Sequence, residues 1–519
     1  MTLVRSKLEC DVIIAGAGPA GAAAAIHMAK AGLRVVLVDS QVFPRDKVCG
    51  DFLSPGALLE LKALGLTRLA EFKRSNPIRD AALYLDGTQL VTSRVPRLPD
   101  SPASRVIPRK TLDNWIVARA RDAGAEIREG HRVTAFVEDT AGIEVSLECG
   151  EGTRRLTAQL LVGADGSSSV VARAMRGHGA LDDDRIIAVR GYFEGVNGPA
   201  SQADLYFTTD SFPGYCWVFP AGSSIANVGV GMILKTLPPR GDHLRKLLLR
   251  LIEADPALQK RLAGARLVGN IVGWPLTTFN GRLSLVSNRV MLIGDAAGLI
   301  NPLNGEGIQN ALVSARFAAD TVMACMERGD FSEAMLQTYA ARINTELGQD
   351  LLVARAAVDL IRNRSLNPLW LEALRVIATK AAADPDYAYL TGGVLAGVIA
   401  TRDILRLDVV AKTLEQAALR VSFRTARDLP LRPNGLVQLG IGASQSAIDI
   451  ASTMLRNRDA SQQWMFSVAS SAMGLMTVRG RQGIRAKAKR GGASIRTRAK
   501  VNGVGPVPDR PNVHNGGGD

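Results

Sequence analysis

The residues with chemical potential in this chain gather at the ends of short apolar runs. Val12-Ile13-Ile14-Ala15 leads directly into Gly16-Ala17-Gly18-Pro19-Ala20-Gly21, and a second run, Arg34 to Val38, stops on Asp39. Gly-x-Gly-x-x-Gly between a strand and a helix, with an acid about 20 residues on, is the pattern of a dinucleotide site. Gly16 permits the tight turn, Gly18 lets the backbone approach a pyrophosphate, and Gly21 lets helix and strand pack closely. The helix that follows turns unpaired N–H groups and the positive end of its dipole toward the phosphates. Asp39 then accepts hydrogen bonds from a ribose. A glycine-rich turn of another α/β protein, or a secretory leader over Val12 to Ile26, is the alternative. The glycine spacing and the acid ending the second strand argue against both.

Two further runs end in the same way. Leu160-Leu161-Val162 meets Gly163-Ala164-Asp165-Gly166, followed by a serine-rich turn and a helix around Val170 to Met175. Open α/β sheets bind ligands at the C-terminal ends of their strands, which is where Asp165 falls. Val290-Met291-Leu292-Ile293 meets Gly294-Asp295, and a loop holding Pro302, Gly305, Glu306 and Gly307 opens a long helix to about Met326. Each alone is common in βα turns; in this order the three motifs form one signal. Asp295 is suited to a polyol such as ribityl. The helix after Gly307 could direct its dipole at the electron-accepting edge of an isoalloxazine.

The elements needed to position these residues are those of a Rossmann-type α/β fold. Ser54 reads as an N-cap with Pro55 at the first helical position. Residues 81–106 read as short strands and turns, Pro108–Ala123 as a helix, and Glu126–Leu156 as a β-meander carrying Val133. Phe331–Arg364 reads as one long helical region and Leu366–Ala383 as another. The chain has 519 residues, too many for one core. The expected division is a Rossmann-type nucleotide-binding domain at 1–80, 105–177 and 281–330. A mixed-sheet substrate domain is inserted at 81–104 and 178–280. A helical region follows at 331–430, then a basic extension at 431–500 and a disordered tail at 501–519.

Composition narrows the function. Hydrophobic content of 47% and charged content of 22% fit a water-soluble globular protein. The five cysteines are scattered and never spaced Cys-x-x-Cys, which excludes a zinc site or disulfide framework and implies a reducing, cytoplasmic setting. The histidines form no ligand-like pair, so no metal is expected. A net charge of +14 invites a nucleic-acid reading, but Arg479–Lys500 is basic and free of acids. Most of the excess therefore sits in a tail with no nucleic-acid module and no interleaved aromatics.

The combination of Gly16-x-Gly18-x-x-Gly21, Gly163-Ala164-Asp165-Gly166 and Gly294-Asp295 resembles the para-hydroxybenzoate hydroxylase-like (group A) flavoprotein superfamily. Phe43-Pro44-Arg45-Asp46-Lys47-Val48-Cys49-Gly50-Asp51 and Pro213-Gly214-Tyr215-Cys216-Trp217-Val218-Phe219-Pro220, with Asn227-Val228-Gly229-Val230-Gly231, resemble its geranylgeranyl reductase branch. The resemblance runs from about Cys10 to Leu429. It implies FAD held by Gly16, Gly18, Gly21, Asp39, Arg45, Cys49, Gly50, Arg109, Val133, Asp165, Gly294, Asp295, Gly305 and Gly307. It also implies reduction of isolated C=C bonds in a polyprenyl chain, with NADPH or a ferredoxin as electron donor. Reduction of an unactivated alkene needs a hydride on one side and a weak acid on the other. The Cys-Gly pattern nominates Cys49 as that acid, the alternative being a small residue that merely packs. Tyr215, Trp217 and Phe219 alternate along a strand and share a face; they wall an isoprenoid tunnel or belong to an ordinary core. Tyr215 and Trp217 are therefore counted with Cys49 as catalytic candidates.

The Tyr-x-Trp-x-Phe-Pro spacing also overlaps the W-x-W-x-I-P pattern of flavin-dependent halogenases, which use a lysine near the flavin. Lys73 is the candidate for that role, and a halogenase or monooxygenase is the second reading. An escort protein that binds prenyl chains without flavin is a third, opposed by the three intact motifs. Gly440-Ile441-Gly442-Ala443-Ser444 imitates a second nucleotide turn but lacks its third glycine. The uncharged stretch Ser461–Val478, with the basic residues to Lys500, reads as a peripheral contact with the inner face of a membrane or as a helix capping the substrate domain. The oligomeric state is not legible.

Overall fold

A computed structural model describes residues 8–150, 152–179, 184–237, 244–428, 462 and 464–471, with the side chains of 418–428 excepted. Met1–Ser471 forms one compact unit and Ala472–Asp519 a second, which lies wholly outside the described residues. The expectations for Gly440–Ser444, the basic span to Lys500 and the tail also fall outside them.

Val12–Ala15 is the centre of a six-stranded sheet. It pairs in parallel with Leu160–Gly163 on one side and Val35–Val38 on the other. Val290–Leu292 adds in parallel beyond Leu160–Gly163, Val286–Ser287 closes that edge antiparallel, and Glu126–Arg128 extends the opposite edge beside Val35–Val38. Apolar runs without alternation form these strands because both of their faces are buried, in a core that also takes in Ile143, Val145, Leu147 and Leu156 of neighbouring antiparallel strands. The register brings Gly16, Asp39, Asp165 and Asp295 to one edge, since each follows the C-terminal end of a neighbouring parallel strand. Four segments distant in the chain thus converge by strand order alone.

Glu126–Arg128 does not belong to the expected meander. It serves the parallel sheet, while Arg132–Glu138, Ile143–Cys149 and Gly152–Ala158 form a separate antiparallel sheet. The alternation of Val133 with the residues after it is the same in either sheet, so periodicity could not tell them apart.

The first helix, Pro19–Lys30, begins with proline where a missing N–H costs nothing. Ala22, Ala23, Ala24 and Ala25 are fully buried. Their small side chains let it lie close against Arg109–Asp122 and the long helix Ile308–Arg328.

A seven-stranded sheet stands beside this unit, in the order 266–277, 185–194, 225–233, 215–220, 202–207, 80–85, 88–94. Gln202–Phe207 and Asp80–Leu85 pair in parallel and the other pairs are antiparallel, so the sheet is mixed. Cys216, Val218, Val228 and Val230 pack on Leu244, Leu248 and Leu251 of the helix Leu244–Ala254. The alternate residues of strand 215–220 are left for the opposite face.

Past Arg328 the described chain is helical, with helices at Glu333–Ile343, Gln349–Ile361, Asn367–Ala383, Pro385–Leu395 and Leu407–Asp428. The expected single region over 331–364 is interrupted at Asn344–Gly348 by a π-type turn. No helix among the described residues is long and apolar enough to cross a membrane. Residues 464–471 are helical and lie against Gln349–Ile361. Trp464 Nε1 donates to the Leu360 carbonyl (3.1 Å), Ser471 bonds Asp359, and Arg282 donates to Ser470 Oγ (2.7 Å). Met465 and Phe466 remain exposed.

Candidate active site

The phosphate turn is shaped by close backbone approach. Gly16 has φ +99°, and a Cβ there or at Gly21 would strike the carbonyl of Ala164 or of Gly16 respectively. No larger residue fits either position without opening the turn. Asp39 is held by Ala17 N–H on Oδ2 (2.8 Å) and by Gln41 N–H on Oδ1 (2.9 Å). Each oxygen keeps a lone pair for a hydroxyl. Val133 lies two residues past His131, whose N–H donates to the Asp39 carbonyl (2.9 Å); its side chain is buried in the core.

One cation covers this turn and a second shares its anchoring carboxylate. Arg45 Nη2 lies 3.6 Å from where a Gly18 Cβ would stand. Arg45 Nη1 and the fork of Arg109 both donate to Asp113, at 2.9, 2.6 and 2.7 Å. Asp113 is fully buried, one helical turn beyond Arg109. Burial opposes the Arg109 cation, but the charge and bonds of Asp113 outweigh it and push its pKa upward. Sequence reasoning missed Asp113; its i,i+4 spacing from Arg109 was the available signal.

Asp165 and Asp295 differ although their motifs look alike. The Asp165 carboxylate is occupied by Ser169 Oγ and by the N–H groups of Val170 (2.7 Å) and Val171 (3.2 Å). It therefore caps the helix Val170–Arg176 and stiffens the turn; the expectation that it holds the cofactor applies to the turn more than to its side chain. Among the described residues, Asp295 has a single side-chain hydrogen bond, a long one from Ser167 (3.5 Å). It stands beside Gly307, at the N-terminus of Ile308–Arg328. Gly294 (φ +57°) and Gly305 (φ +74°) shape the loop around it. A flavin needs a glycine-lined edge, a ribose acid, cations over the pyrophosphate and an open acid for ribityl; these residues fit one.

Lys47 also reaches this region. Burial lowers its pKa, opposed by the charge of Asp295, and its Nζ stands 5.7 Å from the Trp274 ring centroid. Lys73, the lysine expected near a flavin for halogenation, is instead exposed on the short helix Ala70–Arg74. Distance along the chain could not reveal that the nearer lysine turns inward.

Cys49 is half-buried at the meeting point of the two sheets. A Cβ on Gly50 would stand 3.2 Å from the Phe219 ring and 3.6 Å from Trp217 Nε1. Tyr215, Trp217 and Phe219, on the face of strand 215–220 opposite Cys216 and Val218, form an aromatic row with Trp217 buried. Tyr215–Trp217 and Trp217–Phe219 centroids are each 6.1 Å apart, and the row extends to Phe207 (5.8 Å from Tyr215) and Phe52 (5.6 Å from Phe219). Tyr215 donates to the Asn304 carbonyl (2.8 Å), tying the row to the Gly305 loop. Leu371, with Trp370 and Leu374, packs over the Phe207–Tyr215 end.

Beneath Cys49 lies a polar group of residues not foreseen individually. Asp51, fully buried with φ +63°, accepts from Tyr192 Oη (2.6 Å) and Asn227 Nδ2 (2.7 Å) on Oδ2, and from Arg109 N–H (3.3 Å) on Oδ1. Asn227 also donates to the Cys49 carbonyl (2.7 Å) and accepts from Trp217 Nε1 (2.9 Å). The Asp51 N–H donates to Cys49 Sγ (3.3 Å). Burial pushes the Asp51 carboxyl up to about 6 and pushes the Cys49 thiol up. Cys49 is thus a thiol whose loop is bonded through Asn227 to Trp217 of the aromatic row and through Asp51 to the start of the Arg109 helix.

Comparison with known proteins identifies the family. Residues 9–187 match the FAD binding domain family and residues 184–269 the geranylgeranyl reductase catalytic domain. The menaquinone reductase of Mycolicibacterium smegmatis is 34% identical over 350 residues, covering 64% of this chain and 82% of that protein. The geranylgeranyl bacteriochlorophyll reductase-like protein of Thermoplasma acidophilum superposes with a TM-score of 0.61 at 23% identity, over 78% of this chain and 95% of that one. The flavin-dependent brominase Bmp2 also gives 0.61, at 19% identity, over 80% and 99%. Likeness at that identity speaks for the fold alone, which reductases and halogenases share. Sequence kinship and the catalytic-domain match decide between them: the chain is an FAD-dependent oxidoreductase and belongs to the geranylgeranyl reductase family.

Proposed function

We propose that this enzyme reduces isolated C=C bonds in the isoprenoid chain of a lipid or quinone, with Cys49 as the proton donor. The observation that supports the reading is the Cys49-Gly50 loop: a Cβ on Gly50 would stand 3.2 Å from the Phe219 ring, and Asn227 joins the Cys49 carbonyl to Trp217. FAD, when bound, supplies the hydride. In this reading Gly16, Gly18 and Gly21 admit the pyrophosphate, and Arg45 and Arg109 neutralise it. Asp39 takes the ribose beside Val133, Asp295 takes the ribityl chain, and Gly294, Gly305 and Gly307 with Asp165 shape the turns. Cys49 and Gly50 lie against the ring. Tyr215, Trp217 and Phe219 exclude water and orient an apolar chain. Burial holds Tyr215 up at about 12, so it too stays protonated.

NADPH or a ferredoxin supplies the electrons. The protein is cytoplasmic and meets the inner membrane face through 461–500; Met465 and Phe466 are exposed, and the sequence from Arg479 to Lys500 is basic. Such docking suits a substrate dissolved in lipid.

The test mixes the photoreduced enzyme with menaquinone or a geranylgeranyl lipid without oxygen. Flavin reoxidation with a gain of two hydrogens per double bond is the expected outcome. Cys49→Ala should keep its flavin and lose about 100-fold or more in rate. Reduced flavin that waits for oxygen, with oxygen or halogen found in the product, would sink the reductase reading.

A further inference from the structure

We propose that Asp51 is a positioning residue for Cys49, whose carboxylate keeps the neighbouring sulfur in its thiol form and whose hydrogen-bond network fixes where that thiol points. The inference rests on Cys49 being the proton donor.

Two features near the sulfur pull toward the thiolate. The Arg109 guanidinium faces it, and the Asp51 backbone N–H donates to it. Left alone, these would make Cys49 a nucleophile, as cations and N–H donors do elsewhere. A thiolate cannot protonate an alkene. The opposing influences are burial and the negative charge of Asp51.

That carboxylate is buried as a hydrogen-bond acceptor: Tyr192 Oη, Asn227 Nδ2 and the Arg109 backbone N–H all donate to it. Its position is also fixed. Asp51 sits at φ +63°, a conformation that aspartate and asparagine tolerate better than most residues. Asn227 reads three groups at once, binding Asp51, the Cys49 carbonyl and Trp217. A shift of Asp51 therefore moves both the thiol and the aromatic wall.

The charged and titratable groups around the pair come from four elements. Arg109 faces both residues from its helix. Tyr192 and Arg190 face Asp51 from strand 185–194, with Arg190 held by Asp46 of the cysteine loop. Tyr215 faces Cys49 from strand 215–220, and Glu306 faces Tyr215 from the loop before Ile308–Arg328. Asp51 is the nearest acid to Cys49 in this set, and it has no guanidinium hydrogen-bonded to its carboxylate among the described residues.

When Cys49 acts, its S–H bond breaks as the new C–H bond forms, and the electron pair stays on sulfur. The sulfur then takes a proton from solvent before the next turnover. The charge of Asp51 favours that return.

The experiment follows iodoacetamide alkylation of Cys49 in the oxidised, FAD-loaded protein across pH 5.5–9, read by mass spectrometry of the Cys49 peptide. Asp51→Asn keeps the shape and the left-handed backbone while removing the charge. We expect Cys49 to alkylate about tenfold faster at pH 7.5 in this variant, because loss of the neighbouring charge favours the thiolate, with a parallel fall in kcat. An alkylation profile that does not move overturns the proposal, even if activity falls. Should Asp51→Asn not fold, Tyr192→Phe serves. It removes one donor to the carboxylate, so Asp51 protonates at higher pH and Cys49 should alkylate faster than wild type near pH 6.5; an unchanged rate there overturns the proposal too. Full activity in Cys49→Ala would instead defeat the proton-donor reading, which the alkylation data leave separate.

Discussion

The phosphate turn and the cysteine pocket lie at the same sheet edge but are built in different ways. The turn from Gly16 to Gly21 is one continuous segment, shaped by backbone contacts so close that a single methyl would break them. The pocket is assembled from five: the loop 43–51, the helix Arg109–Asp122, and the strands 185–194, 215–220 and 225–233. One is made of missing side chains and the other of side chains that satisfy one another. Cofactor binding should therefore fail by steric change, and reactivity by loss of a hydrogen bond or charge.

The largest effect expected is at the turn. Gly21→Val must displace the Gly16 carbonyl, so the protein should purify colourless and lose at least about 4 kcal/mol of stability. Yellow, stable Gly21→Val protein would break the contrast between the two regions. In the pocket, Asn227→Ala strips partners from Trp217 Nε1, the Cys49 carbonyl and Asp51. Each group left bare costs about 1–3 kcal/mol. Flavin content should stay near wild type while the rate of alkene reduction falls; loss of flavin instead would mean that the regions are one unit.

A third test uses pH. The Asp51 carboxyl titrates at about 6 in the folded protein, against 3.8 ordinarily, because burial disfavours its charge. A raised acid contributes stability that is fully present below the unfolded value and is lost as pH rises through the folded one. Denaturant titrations of wild type and Asp51→Asn should therefore diverge between pH 4 and 7. Wild type should lose about 3 kcal/mol relative to the variant over that span. A difference that stays flat with pH would show that the pocket does not hold a buried carboxylate as described. The smallest effect is predicted for Lys73→Ala. That side chain is exposed, so anaerobic reduction should change less than about twofold; a large loss would revive the halogenase-type reading.

Much of the turn was legible because its requirements are local. Strand, glycines, helix and acid follow one another, and positive φ or close approach leaves few residues that fit. The pocket was legible only in part. Cys49, Tyr215 and Trp217 stood out by type and spacing, yet Asp51 was read merely as the end of a Cys-Gly-Asp string and Tyr192 was not noticed. Lys73 was named as the lysine near the flavin and Lys47 was not considered, because nothing in the chain says which lysine turns inward. Glu126–Arg128 was assigned to a neighbouring sheet for the same reason, since a strand's alternation does not name its partner.

The sequence by itself determined the nucleotide turn, the order of the three strand-end motifs and the apolar run of each central strand. These depend on backbone conformation and burial, which are written residue by residue. The tertiary structure alone decided that Asp165 caps a helix while Asp295 stays open. It also decided that Asp113 clamps two arginines and that Asp51, Tyr192 and Asn227 meet beneath Cys49. Those outcomes depend on hydrogen bonds between groups up to 178 positions apart, and a bond of that span exists only once strand order and register bring its ends together.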